Sequence, residues 1–234
     1  MIRRAAVLGT CAAFACLDPG AANAQFAPSW QGFYVGLTVG FAHSKATIDP
    51  SDLAIAGITS PNSVTGLSPN GASIGFAGGY NWQSGSLVFG VEADWSRLAL
   101  RTSLPFSGTI PPFGAVSGTL GADLDWIASA RARAGISLGQ ALVYGTVGLA
   151  VAGANGEVVV LGVGSPAAFS DSAWLAGWVL GGGIEYALSP VWTIKGELIR
   201  LHVGSGPFSS TAGAVPLSSR IDVYNVRAGL NYRF

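Results

Sequence analysis

Residues 220–234 read RIDVYNVRAGLNYRF, and the chain stops on that final phenylalanine. With period two, Tyr224, Val226, Ala228, Leu230, Tyr232 and Phe234 share one face. Val223, Asn225, Arg227, Gly229, Asn231 and Arg233 share the other. A soluble sheet would hide the apolar face in a core and leave the polar face wet. Here the apolar face carries aromatic residues near both ends. An outward apolar band edged by aromatics, with a polar face turned into a lumen, is what a lipid-facing strand requires. The stretch therefore reads as the closing strand of a transmembrane β-barrel.

The same pattern recurs upstream over 33–42, 73–82, 87–96, 120–138, 142–152, 174–186 and 192–202. In the first of these, Phe33, Val35, Leu37, Val39 and Phe41 alternate with Tyr34, Gly36, Thr38, Gly40 and Ala42, close to the ~10 residues of a tilted membrane strand. Over 120–138 the alternation puts Leu124 and Trp126 outward and Asp125, Ser129, Arg131 and Arg133 inward. The segment 142–152 is apolar or small on both faces, and its phase is assigned with Val143, Val147, Leu149 and Val151 outward. Tight turns at 83–86, 139–140 and 189–190 alternate with Gly/Ser/Pro-rich stretches at 44–72, 98–119, 153–171 and 203–219, read as long loops. Residues 157–163 could extend the strands beyond the membrane. An even strand count with short turns on one side and long loops on the other predicts an all-β fold. Its form is an eight-stranded antiparallel up-and-down transmembrane β-barrel.

Composition agrees. Half the 234 residues are hydrophobic, a tenth are charged and 34 are glycine, against about 25% charged in a soluble domain. The best helical candidates, 141–152 and 173–184, fall short of the ~20 apolar residues a spanning helix needs. A closed barrel is the remaining way to satisfy every backbone group in lipid. Residues 1–24 read as a cleaved signal peptide: Arg3 and Arg4, an apolar run over 5–17, then Ala22-Asn23-Ala24 as the cleavage signal, cut after Ala24. Residues 25–234 form the barrel domain. Cys11 and Cys16 both lie in the leader, so the mature chain has no thiol for a disulfide or a metal. Removing Arg3, Arg4 and Asp18 from twelve bases and twelve acids leaves ten and eleven, a formal charge of −1. That excludes the basic field of a nucleic-acid binder.

The chain resembles the porin-like outer-membrane immunogenic proteins, small outer-membrane barrels of Gram-negative bacteria. Trp30-Gln31-Gly32-Phe33-Tyr34-Val35-Gly36, Phe89-Gly90-Val91-Glu92-Ala93-Asp94 and Arg131-Ala132-Arg133-Ala134-Gly135 carry the resemblance. Gly181-Gly182-Gly183-Ile184-Glu185-Tyr186 and the ending from Val226 to Phe234 complete it. The resemblance implies an outer-membrane location and a surface antigen or porin. It also implies that Tyr232 and Phe234 form the terminal signal read by the barrel-assembly machinery. No peptidoglycan-binding domain is expected beside the barrel, and anchoring to the wall is not expected.

The inward positions hold Glu92, Asp94, Asp125, Arg131, Arg133, Glu185, Lys195, Glu197 and Arg227, five acids facing four bases. An eight-stranded barrel is wide enough only for side chains to fill it. Near-balance favours a paired, closed lumen over a charged constriction that passes small solutes. Three functions stay open: a structural, surface-antigenic barrel with an ion-paired lumen, a narrow diffusion porin, and an adhesin or ligand-binding loop display. No enzyme is expected, because His43 and His202 lie on strands separated by the closing strand and read as polar rim residues. No cofactor or metal is expected either. The expected partners are outer-membrane lipid, the assembly machinery during biogenesis, and host or ligand molecules at the loops.

Overall fold

The computed structural model describes residues 28–48, 65–67, 69–110, 114–161, 167–204 and 219–234. The expected cleavage site at Ala22 and Ala24 lies outside the described residues. Among the described residues nine strands follow one another: β1 (Gly32–Ile48), β2 (Thr65–Leu67), β3 (Asn70–Ser84), β4 (Leu87–Ile110), β5 (Gly114–Leu138), β6 (Ala141–Leu161), β7 (Ala167–Ala187), β8 (Trp192–Gly204) and β9 (Ser219–Arg233). Eight close a barrel, because β9 pairs antiparallel with β1 from Tyr34↔Arg233 to Ile48↔Ser219. The short β2 is an appendage on the upper end of β1, paired at Ala46↔Leu67 and Thr47↔Thr65. Every neighbouring pair is antiparallel, and the eight barrel strands follow one another in chain order up to the closure, with β2 set aside between β1 and β3.

The wall is apolar on its outside. Phe33, Leu37, Phe41, Leu149, Trp174 and Phe234 are among its most exposed side chains. So large an apolar surface has no place in water; lipid solvates it without cost. At the end bearing the short turns, aromatic rings meet edge to face: Phe33–Tyr80 at 4.6 Å, Trp192–Tyr232 at 5.1 Å and Tyr232–Phe234 at 5.2 Å between centroids. Towards the loop end, Phe76–Trp95 and Trp126–Trp174 form the second girdle at 5.5 and 5.7 Å. Two hairpins close in two residues each. Their first residues, Gly85 at φ 60° and Gly139 at φ 68°, supply the left-handed conformation such turns demand.

Two expectations are corrected. Residues 98–110 and 114–119 are not a loop: β4 and β5 remain paired from Leu100↔Leu124 to Ile110↔Gly114. Residues 153–161 and 167–171 are likewise paired strand, through Val160↔Ala167. β4 and β5 run to 24 and 25 residues, well beyond the ~10 that cross a bilayer, so they stand out of the lipid band as a ribbon. Ser, Thr, Gly and Pro disguise that ribbon as loop, because a strand in water needs no apolar face. The second correction concerns phase. A register shift between Arg97 and Leu100, matched by one between Leu124 and Trp126, marks a bulge. A bulge adds a residue to one strand and re-aims its side chains. Leu124 therefore points inward and is buried, whereas Trp126 keeps the outward direction.

Candidate functional site

The interior is layered. At the turn end Trp30, Val88, Leu142, Tyr144 and Ala187 form an apolar floor. The lead-in segment enters this floor: the Trp30 backbone N–H donates to Gln83 Oε1 at 2.6 Å. The Arg233 guanidinium donates to the carbonyls of Ser29 and Pro190 at 2.6 and 2.7 Å, with its centre 5.0 Å from the Trp30 ring. Towards the loop end an apolar layer made of Leu98, Leu100, Leu124, Val179, Ile199, Leu201, Val203 and Val223, with Ala42, Ala150 and Ala152, fills the bore. A belt of charge lies between them.

Strand register builds the belt. Glu92 stands opposite Arg131 across β4 and β5, and Glu197 opposite Arg227 across β8 and β9. Glu92 contacts Arg131 Nη2 directly. It receives Lys195 Nζ at 2.9 Å and the Tyr34 hydroxyl at 2.8 Å, and Arg227 Nη2 lies 3.7 Å away. β4 and β8 face each other across the ring of eight, so the Lys195–Glu92 pair crosses the bore. Asp94 takes Arg131 Nη2 and Arg227 Nη1, each at 3.1 Å, and the Ser129 hydroxyl at 2.5 Å. Glu197 takes Arg227 Nε at 2.8 Å, with Lys195 at 3.4 Å and Arg131 at 3.8 Å. Glu185 stands opposite Lys195 in register but bonds Arg133, Thr193 Oγ1 at 2.5 Å and Asn231 Nδ2 at 2.8 Å. The Arg133 guanidinium lies 3.6 Å from the centroid of the Tyr144 ring and donates to the Tyr34 hydroxyl at 3.3 Å.

Eight of the nine inward charges named from the sequence thus converge: Glu92, Asp94, Glu185, Glu197, Arg131, Arg133, Lys195 and Arg227, all buried. Asp125 does not join them. The bulge lifts it out of phase, and its carboxylate accepts from Asn155 Nδ2 at 2.5 Å on the exposed side. Its departure leaves four acids against four bases. Buried charges persist only when paired and hydrogen-bonded, and each carboxylate of the belt has at least two partners. Glycine creates the room. A Cβ on Gly79 would sit 2.4 Å from the Val91 carbonyl oxygen and 2.5 Å from the Tyr34 hydroxyl.

Sequence reading missed both apolar layers. The signal was available in Ile199, Leu201 and Val203, which alternate with Leu198, Arg200 and His202 and leave β8 apolar on its inward face above Glu197. It also missed the acid beside His202. His202 Nδ1 lies 3.2 Å from Asp222 Oδ1 on the outer wall, and His43 Nδ1 lies 2.7 Å from Asn70 Oδ1. Tyr232 and Phe234 face outward in the lower girdle, where the Phe234 N–H donates to the Phe33 carbonyl at 3.0 Å.

Residues 10–234 match the family of the outer membrane protein beta-barrel domain. The 31 kDa outer-membrane immunogenic protein of Brucella melitensis is 31% identical over 210 residues, 88% of this chain and 84% of that protein. The 22 kDa outer membrane protein of Rhizobium leguminosarum bv. viciae is 29% identical over 212 residues, 89% of this chain and 80% of that protein. Among solved structures, Neisserial surface protein A is similar with a TM-score of 0.45 and 17% identity, over 87% of this chain and 97% of that one. The matched length takes in every strand of the barrel, and the chain belongs to the outer membrane protein β-barrel family, whose place is the bacterial outer membrane.

Proposed function

We propose that the chain is a closed barrel whose role is structural and surface-antigenic: it holds an ion-paired lumen shut and presents its ribbons outside the cell. The observation that carries this reading is the layering of the bore. The belt is neutral at four against four, and an apolar layer covers it on each side. A conducting pore needs a wetted path with partly free charges. An ion entering here would shed its hydration against Leu100, Leu201 and Val203 and then compete for carboxylates that each already hold at least two partners. The β4–β5 and β6–β7 ribbons support the display half of the reading. They continue the barrel wall past the lipid band, and long paired strands hold a surface epitope more firmly than a bare loop.

The partners in this reading are outer-membrane lipid along the wall, the barrel-assembly machinery acting on the Tyr232–Phe234 end, and host or ligand molecules at the ribbons. No cofactor and no catalytic step belong to it. Residues 25–234, refolded in detergent and inserted into a planar bilayer, test it. Silence from protein whose folding is verified by heat-dependent gel mobility is the expected result. A stable, ion-selective conductance altered by Glu92→Ala or Arg131→Ala would overturn the closed-lumen reading in favour of a diffusion porin.

A further inference from the structure

Charge on the lipid-side wall is confined to one end. At the turn end the outward residues are Leu87, Leu138, Tyr186, Trp192, Tyr232 and Phe234, all apolar or aromatic. At the loop end the face running over β8, β9, β1, β3 and β4 carries Arg200, Lys45 and Arg97 against the single acid Asp222. His202, Asp222 and Lys45 occupy one hydrogen-bonded row across β8, β9 and β1.

Asp222 organises this row more than it neutralises it. Its Oδ1 alone receives Arg200 Nε at 3.2 Å, Arg200 Nη2 at 3.1 Å and His202 Nδ1 at 3.2 Å. The His202 ring stacks on Trp178 at 5.4 Å, and the Arg200 guanidinium lies 5.9 Å from the Trp178 ring and 5.6 Å from the Tyr224 ring. The His202 ring is thus stacked on an aromatic and the Arg200 guanidinium lies near two, at the level of the upper girdle, where interfacial Trp and Tyr sit. The Arg200 side chain remains 46% exposed. Lys45 is exposed and makes no ion pair with a described residue. Strands are about 4.8 Å apart, so Lys45 and Arg200, on strands flanking β9, lie within reach of one phosphate group.

We propose that Lys45, Arg200 and His202 form a binding site for the phosphorylated glycolipid of the outer leaflet, engaged through a headgroup phosphate. The loop end faces that leaflet. A fixed guanidinium and an ammonium on neighbouring rows of one outward face, Arg200 in the row of Tyr224 and Lys45 in the row of Asp222, match a tetrahedral anion through charge-assisted hydrogen bonds. A lone carboxylate against two permanent cations leaves positive charge that an interfacial anion takes up.

The mature chain in detergent, with bis-phosphorylated lipid A as the probe, tests the site by native mass spectrometry or thermophoresis. Lipid A should bind about tenfold or more tightly than its dephosphorylated form, the contribution of a charge-assisted pair. The Lys45→Ala/Arg200→Ala variant should lose that advantage while keeping its heat-dependent gel mobility. Lys45→Glu, on the rim and outside every core layer, should lose it as well should the double variant fold poorly. Arg101→Ala, on the β4 ribbon away from the row, should bind as the unaltered chain does. Equal binding of phosphorylated and dephosphorylated lipid A would overturn the proposal. So would an undiminished affinity in Lys45→Glu, an equal loss in Arg101→Ala, or equal binding of phosphatidylglycerol, which would reduce the row to general anion attraction.

Discussion

Glu92 is the residue on which the belt turns, since it touches Arg131, Lys195 and the Tyr34 hydroxyl and lies near Arg227. Glu92→Ala removes the partner of three buried cations at once. Breaking a buried pair from one side costs about 3–5 kcal/mol, and the loss is expected as a lowered temperature of the heat-dependent gel-mobility transition. The paired replacement Glu92→Met with Lys195→Met should recover most of that loss, because it removes charge from both sides and fills the space. A double variant no better than Glu92→Ala alone would mean that the belt is held by packing and not by charge. Gly79 makes a second test. Gly79→Ala places a methyl group against the Val91 carbonyl, which cannot swing away as a side chain would, and overpacking of this kind costs about 1–3 kcal/mol. Tyr34→Phe in the same background relieves only the hydroxyl contact and should not restore stability.

At the scale of the element, the long strands divide into a part solvated by lipid and a part standing in water. In the lipid band the alternation was readable residue by residue. Even the doubtful 142–152 segment keeps the assigned phase, with Tyr144 and Thr146 buried and Val143, Val147 and Leu149 exposed. Above the band it was not readable, because lipid no longer imposes an apolar face. Among the described residues, nothing on the β4–β5 ribbon beyond Leu100 and Leu124 joins the belt or either apolar layer. Replacing residues 101–123 with a two-residue Asn-Gly turn is therefore expected to leave folding and the mobility transition within a few degrees of the full chain. Loss of the folded band would place the barrel's stability in the ribbon. At the other end of the chain, Phe234→Ala should slow assembly of the barrel into membranes supplied with the assembly machinery. Its effect on refolding into plain detergent should be smaller, since the side chain lies exposed on the outer wall, edge to face with Tyr232.

On the proposed closed-lumen reading the whole molecule is a stoppered cylinder, and that has a consequence for salt. Belt pairs are buried on all sides, so ions in solution screen them little, whereas exposed pairs lose most of their attraction by about 1 M ionic strength. The mobility transition should barely move between low salt and about 1 M, while lipid A binding at Lys45 and Arg200 should weaken markedly. A transition that collapses with salt would show water and ions reaching the belt. Single belt substitutions should also stay silent in the planar bilayer, because the floor around Trp30 and the layer around Leu201 still close the bore.

The sequence alone determined the eight strands of the barrel, the outward face of nearly every strand and eight of the nine inward charges named from it. Lipid enforces a strict period of two over each crossing, and that period survives in one dimension. Three things were decided only by the tertiary structure. The bulge that expels Asp125 depends on the register of β5 against both neighbours, which no single segment encodes. The apolar layers arise because side chains from strands distant in sequence meet across a bore too narrow for water. The pairing of Glu185 with Arg133 instead of its register partner Lys195, and the meeting of Arg200 and His202 on one oxygen of Asp222, are set by closure of the barrel and by side-chain reach within it.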